Sequence, residues 1–139
     1  MSRSLDDLNP AFRPFADKFL VALTAAGIEF VVASTLRPLA EQEKLYAIGR
    51  TMPGKIVTRA KPGSSAHNYG LAMDVYPLIH GKLCTNTPDG DSLSDAVWQQ
   101  YGKIARECGL EWGGDFQSFP EGPHVQMAGW KFYIPRAVA

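Results

Sequence analysis

An aspartate set inside an apolar strand is the feature that most restricts how this chain can fold. The segment Gly70-Leu71-Ala72-Met73-Asp74-Val75-Tyr76 alternates well enough to form a strand. A carboxylate within such a strand is strongly unfavourable unless something pairs with it. The fold must therefore bring a partner to Asp74. Small Gly70 and Ala72 leave room there for backbone or ligand to approach. Just upstream, in a polar turn that follows a glycine-rich loop, stands His67.

The rest of the chain reads as short, well-punctuated elements. Asn9 is expected to cap a first helix with Pro10 at its first position, where a missing N–H costs nothing. Phe12, Phe15, Ala16, Phe19, Leu20 and Leu23 share one helical face, and Gly27 supplies the stop. Ile28 to Ser34 reads as a buried strand. A second helix is expected from Pro38 to Ile48, ended by Gly49, and Thr51 to Ser65 is expected to be loop. Ile79-His80-Gly81-Lys82 reads as a turn, which gives His80 a purely structural role. Ser94 is expected to cap a third helix that buries Val97, Tyr101, Ile104, Ala105 and Cys108 and ends at Gly109. The remainder, LEWGGDFQSFPEGPHVQM, reads as strand, glycine turn, proline-bracketed turn and strand. Two or three helices around a small, mostly antiparallel sheet make an α+β domain. With 139 residues, positions 1–139 are expected to form a single domain.

Charge narrows the function. Lys plus Arg is 14 and Asp plus Glu is 14, a formal net charge of zero, which leaves no electrostatic footprint for nucleic acid or an anionic membrane. No apolar run approaches the roughly 18–20 residues of a membrane span, and the start MSRSLDDLNPAFRPF does not read as a secretory signal. Cys84 and Cys108 are too few for a disulfide framework and read as free thiols of a chain made in the cytosol.

Two of the three histidines carry the chemistry. His124 opens the last strand, and Pro120 to Pro123 form a turn that folds Glu121 back beside it. His67, Asp74, His124 and Glu121 together offer two imidazoles, one carboxylate ligand and one spare carboxylate. That is the inventory of a catalytic zinc site: three protein ligands, an open fourth position and a general base. Taken singly, each residue has a plainer reading: a surface turn histidine, a carboxylate held by backbone or arginine, a solvated glutamate. The joint pattern outweighs those readings.

The string SAHNYGLAMD fits S-x-H-x-x-G-x-A-x-D, and EGPHVQ supplies an acid, two residues, then His. Both resemble the VanY-like zinc peptidases of cell-wall metabolism, which comprise D-alanyl-D-alanine carboxypeptidases and phage L-alanyl-D-glutamate endolysins. STLRPLAEQEKLYAIGRT and WGGDFQSF also resemble that family's segments in the same chain order, so the likeness runs from about Ser34 to Gln126. It implies the hedgehog/VanY-like zinc peptidase fold and one Zn²⁺ per chain held by His67, Asp74 and His124. Glu121 becomes the catalytic base. Arg37 becomes the arginine that holds a substrate carboxylate or polarised carbonyl, the alternative being an ion pair with Glu41 or Asp74. Ser65 and Asp115 are implied to orient other site groups; Gln42 either does the same or simply lies on a helix face. Trp112, Phe116, Phe119 and Tyr69 are candidates for lining the groove, against ordinary core packing.

Within the family, Pro123 before His124 and the compact length resemble the endolysin branch. The resemblance therefore implies a monomeric zinc metallopeptidase that cleaves the peptidoglycan stem peptide, at L-alanyl-D-glutamate first. The alternatives are a D-alanyl-D-alanine carboxypeptidase or dipeptidase and a non-catalytic zinc-stabilised wall-binding module. An endolysin without a signal is expected in the host cytoplasm until lysis, then at the periplasm and cell wall.

Overall fold

The computed structural model describes residues 1–85 and 95–134. Helix α1 (Arg13–Ala25), strand β1 (Glu29–Ser34) and helix α2 (Leu39–Ala47) come first. A long loop and a short 3₁₀ turn (Ala66–Tyr69) lead into β2 (Ala72–Ile79) and β3 (Lys82–Leu83). Helix α3 (Ala96–Glu107), β4 (Leu110–Trp112) and β5 (His124–Met127) follow. The strands form one antiparallel sheet in the order β1-β2-β5-β4, with β3 paired to β2. This is the expected α+β architecture, with three α-helices among the described residues.

The period-two geometry of β2 resolves the problem posed by Asp74. Met73, Val75 and Pro77 are buried, whereas Asp74 and Tyr76 are half-buried on the opposite face. The pairings Met73↔Val125 and Asp74↔His124 carry that division across to β5, and Trp112↔Val125 carries it on to β4. Met73, Val75, Val125, Leu110 and Trp112 thus join the core with Phe12, Ala16, Phe19 and Leu23 of the first helical segment. Burying each such large side chain contributes about 1.5–3 kcal/mol. Tyr101 of α3 seals the layer, its ring edge-on to Phe19 at 5.1 Å and to Trp98 at 5.3 Å. At the other end of β2, His80 and Gly81 have positive φ (52° and 75°) and close the two-residue turn between Ile79 and Lys82.

Four expectations shift. Asn9 caps a preceding turn, its side chain accepting from the Ala11 N–H, and α1 begins only at Arg13. Phe15 is 38% exposed rather than core, because the buried row runs through Phe12, Ala16, Phe19 and Leu23. β1 is an edge strand with alternating exposure, not a buried one, and its register slips between Val32 and Ser34. On α3 the buried face is Trp98, Tyr101, Gly102 and Ala105, with Val97 and Ile104 only half-buried. Gly102 explains that rotation: a Cβ there would lie 2.3 Å from the Trp112 ring, which packs directly on the helix backbone. The expected cap Ser94 lies outside the described residues. Cys84 and Cys108 are buried and are not joined in a disulfide.

Candidate metal centre and active-site cleft

Asp74 and His124 face each other as paired residues of β2 and β5, so the sheet register sets their approach. His67 arrives from the turn just before β2. That turn is locked by a capping box: the Ser65 hydroxyl accepts from the His67 N–H, and the Asn68 side chain reaches back to the Ser65 N–H. Gly70 ends it at φ 69°, and a Cβ there would meet the Asn9 nitrogen at 2.7 Å. Only glycine satisfies both conditions.

The backs of both imidazoles are tied to acceptors. His67 Nδ1 lies 2.9 Å from the Thr35 carbonyl, which can only accept, so Nδ1 carries the proton and Nε2 faces Asp74 Oδ1 at 3.1 Å. Gln126 donates through Nε2 to Glu111, which turns its Oε1 towards His124 Nε2 at 2.7 Å. His124 Nε2 is therefore the protonated nitrogen, and Nδ1 faces Asp74 Oδ1 at 3.4 Å. Two lone pairs and a carboxylate oxygen aimed at one another repel unless a cation lies among them. The ligand atoms of His67, Asp74 and His124 all lie within 4.8 Å of one another. A nitrogen, nitrogen, oxygen donor set with outward N–H groups anchored behind fits zinc.

The electrostatics are those of a tightly coupled cluster. When protons rather than a cation occupy the imidazole nitrogens that face Asp74, burial alone would raise the Asp74 carboxyl, but the charge on His67 and hydrogen bonds from both histidines outweigh it and hold Asp74 far below the usual range. Burial would lower His124, yet its bond to Asp74 and the nearby carboxylates raise it. Glu121 Oε2 lies 3.8 Å from His124 Nδ1. Burial, reinforced by Asp74, pushes the Glu121 carboxyl up against the opposing pull of His124, His67 and Arg37.

The turn that carries Glu121 is held by its carbonyls. Trp112 Nε1 donates to the Gly122 carbonyl at 2.6 Å, and the Tyr101 hydroxyl and Val75 N–H both donate to the Pro123 carbonyl. The Glu121 N–H donates to the Gly113 carbonyl at 3.0 Å, and a Cβ on Gly113 would sit 2.3 Å from the Glu121 carbonyl oxygen. Glu121 is thus fixed by a close backbone approach that needs glycine.

His67, Asp74, Glu121 and His124 line a cleft of about 740 Å³, together with Arg37, Arg59, Tyr76, Phe116 and Phe119. The M15 peptidase family model described as D-alanyl-D-alanine carboxypeptidase matches residues 58–127, the stretch that holds His67, Asp74, Glu121 and His124. The peptidoglycan L-alanyl-D-glutamate endopeptidase CwlK of Bacillus subtilis (strain 168) is 38% identical over 123 residues, 87% of this chain and 74% of that protein. The chain belongs to this family. Solved structures share the fold: the Serratia marcescens L-Ala D-Glu endopeptidase ChiX has a TM-score of 0.62 at 24% identity, covering 94% of this chain and 87% of that one. A vancomycin-resistance D,D-pentapeptidase VanY in complex with Zn(II) has a TM-score of 0.55 at 18% identity, over 89% of this chain and 74% of that one.

On this M15 scaffold most expected site residues come together. Arg37 is buried, with Nη1 donating to Gln42 Oε1 at 2.9 Å and Nη2 lying 3.6 Å from Asp74 Oδ2. Its Nε is buried and without a partner among the described residues. Glu41 pairs with the chain N-terminus instead. Gln42, fully buried, donates onward to the Ala60 carbonyl at 2.7 Å, so it orients Arg37 rather than lying idle on the helix. Ser65 caps the His67 turn.

Asp115 departs from expectation. It is exposed and paired with Arg106 on the surface at 2.9 Å, away from the cleft lining. The glycine turn at Gly113–Asp115 points its side chain outward while its backbone grips Glu121. Phe116 and Phe119 line the cleft, but Trp112 is core, and Tyr69 stacks on Trp130 and donates to the Gly63 carbonyl. Sequence reasoning missed Thr35, Gln126 and Glu111. Gln126 and Glu111 carry a usable signal, since Gln126 lies two residues past His124 on the same strand face and is the cross-strand partner of Glu111.

Proposed function

We propose that this chain is a zinc-dependent peptidoglycan endopeptidase that hydrolyses the L-alanyl-D-glutamate bond of the stem peptide. The carrying observation is the convergence of two back-anchored imidazoles and one carboxylate on a single point, with a second carboxylate, Glu121, beside it. Identity to an L-alanyl-D-glutamate endopeptidase across most of the chain supports this choice of bond.

In this reading His67 Nε2, Asp74 and His124 Nδ1 hold one zinc ion. When bound, the metal supplies Lewis-acid activation of water and of the scissile carbonyl. Glu121, its carboxyl pushed up by burial, takes the proton of the attacking water and delivers it to the departing amine as the C–N bond breaks. Arg37, with one guanidinium edge spent on Gln42 and Asp74 and Nε unpartnered, steadies the oxygen that gains charge or a nearby substrate carboxylate. We extend the proposal to biology: a monomeric, bacteriolytic endolysin, held in the host cytoplasm until lysis and then acting at the cell wall.

The family description favours a second reading, D-alanyl-D-alanine carboxypeptidase. Mass spectrometry of digested peptidoglycan separates the two: new D-glutamyl amino termini support the endopeptidase, and free D-alanine overturns it. Metal analysis should return one zinc per chain, with activity lost to chelation and restored by zinc. Glu121→Ala should keep the zinc and lose about 10²–10⁴-fold in kcat. Residual activity above about a tenth of wild type would remove Glu121 from the role of base.

A further inference from the structure

The cleft carries a second guanidinium, that of Arg59, which the hydrolytic machinery does not use. Arg37 has two of its nitrogens committed to Gln42 and Asp74 and is assigned to the reacting centre. Arg59 forms no ion pair among the described residues, is exposed, and holds its guanidinium 5.6 Å from the centre of the Phe119 ring. Both residues line the cleft, from two separate stretches of the chain.

Both supports of this pair are fixed. Beside Arg59, the Thr58 hydroxyl accepts from the Ala60 N–H at 3.1 Å, and the Ala60 carbonyl accepts from Gln42. Arg59 therefore projects from backbone tied into the same link that orients Arg37. Phe119 adopts φ 57°, a left-handed conformation that a bulky side chain rarely takes and that is disfavoured by about 1–2 kcal/mol. Such strain persists where the surrounding structure enforces it, and it gathers at ligand-binding places. Phe119 also lies two residues before Glu121, so the ring and the base share one turn.

The charge pattern says what this arrangement suits. Among the described residues Asp74 and Glu121 are the carboxylates lining the cleft; a bound zinc ion and Arg37 would offset them at the floor, which leaves an anionic substrate group further out to find its own counter-charge. A guanidinium held over an aromatic face supplies that counter-charge and presents a planar fork suited to a carboxylate. A glutamyl residue whose nitrogen belongs to the scissile bond and whose one carboxyl continues the peptide keeps its other carboxylate free. We propose that Arg59, set over the Phe119 ring, is a specificity-determining residue that binds this free carboxylate on the leaving side of the scissile bond. The proposal rests on the endopeptidase reading above.

The test uses two synthetic stem peptides that differ only in that group, one with the glutamyl carboxylate free and one with it amidated. Wild type should prefer the free acid by about 10–100-fold in kcat/KM, expressed mainly in KM, with the preference shrinking at high salt. Arg59→Gln should lose most of that ratio while cleaving the amidated peptide almost as wild type does, and Arg59→Lys should keep part of it. A wild type that cleaves both peptides equally, or an Arg59→Gln that keeps the full ratio, would overturn the carboxylate assignment and leave the endopeptidase intact. A zinc-loaded wild type that cleaves neither would overturn the endopeptidase reading and this inference with it.

Discussion

At the floor of the cleft, every group that could touch a metal is held from behind. Thr35 grips His67, Gln126 grips His124, and Arg37 leans on Asp74. At the rim, Arg59 is exposed and rests on one aromatic ring. The contrast follows from what each region must do. A metal–ligand distance tolerates about 0.2 Å of error, so its side chains are fixed by buried hydrogen bonds and sheet register. A flexible peptide can be met by a charge with several tenths of an ångström of freedom, so the rim stays wet and its guanidinium unpaired.

Substitutions at the floor should therefore have large, metal-linked effects that those outside it lack. The largest is expected for His67→Ala: zinc binding at micromolar concentrations and hydrolysis both disappear, and elemental analysis with an activity assay checks this. Next comes Gly113→Ala, because the new Cβ cannot avoid the Glu121 carbonyl. It should cost about 1–3 kcal/mol in chemical denaturation and, by displacing Glu121 from the position proposed for the base, about 10²-fold in kcat. Gln126→Leu removes the anchor of the His124 N–H and should weaken zinc affinity about 10–100-fold in a chelator competition, with zinc in excess restoring much of the activity. Asp115→Ala should be nearly silent: it breaks an exposed pair with Arg106 worth less than about 1 kcal/mol and should leave kcat/KM unchanged within about twofold. A tenfold loss at Asp115 would mean that this surface pair supports the cleft after all, and the contrast between the regions would have to be redrawn.

The readable part of the site consisted of side chains whose type alone names a chemistry. His67, Asp74, Glu121 and His124 stand in short, motif-like strings, and the proline bracket around Glu121 already implied a turn beside His124. The supporting atoms were much less visible. The acceptor behind His67 is the backbone carbonyl of Thr35, and a carbonyl is the same in every residue. Gln42 looked equally like a helix-face residue until its amide was found spanning Arg37 and Ala60. Asp115 misled because the backbone of its glycine turn serves the site while its carboxylate faces solvent. The α3 face misled for a related reason: Gly102 admits the Trp112 ring, a contact that helical periodicity does not encode.

Strand periodicity and residue chemistry were enough to say that Asp74 and Tyr76 share a face of β2 and that two imidazoles needed a common target. Which face became core, which nitrogen of each ring points inward, and how a turn near the end of the chain meets one near its middle depended on the antiparallel register of β2 with β5. The physical reason is range. Local sequence fixes torsions and the direction of a side chain about its own strand, whereas ligand geometry is a distance between strands, set only when the core beneath them packs.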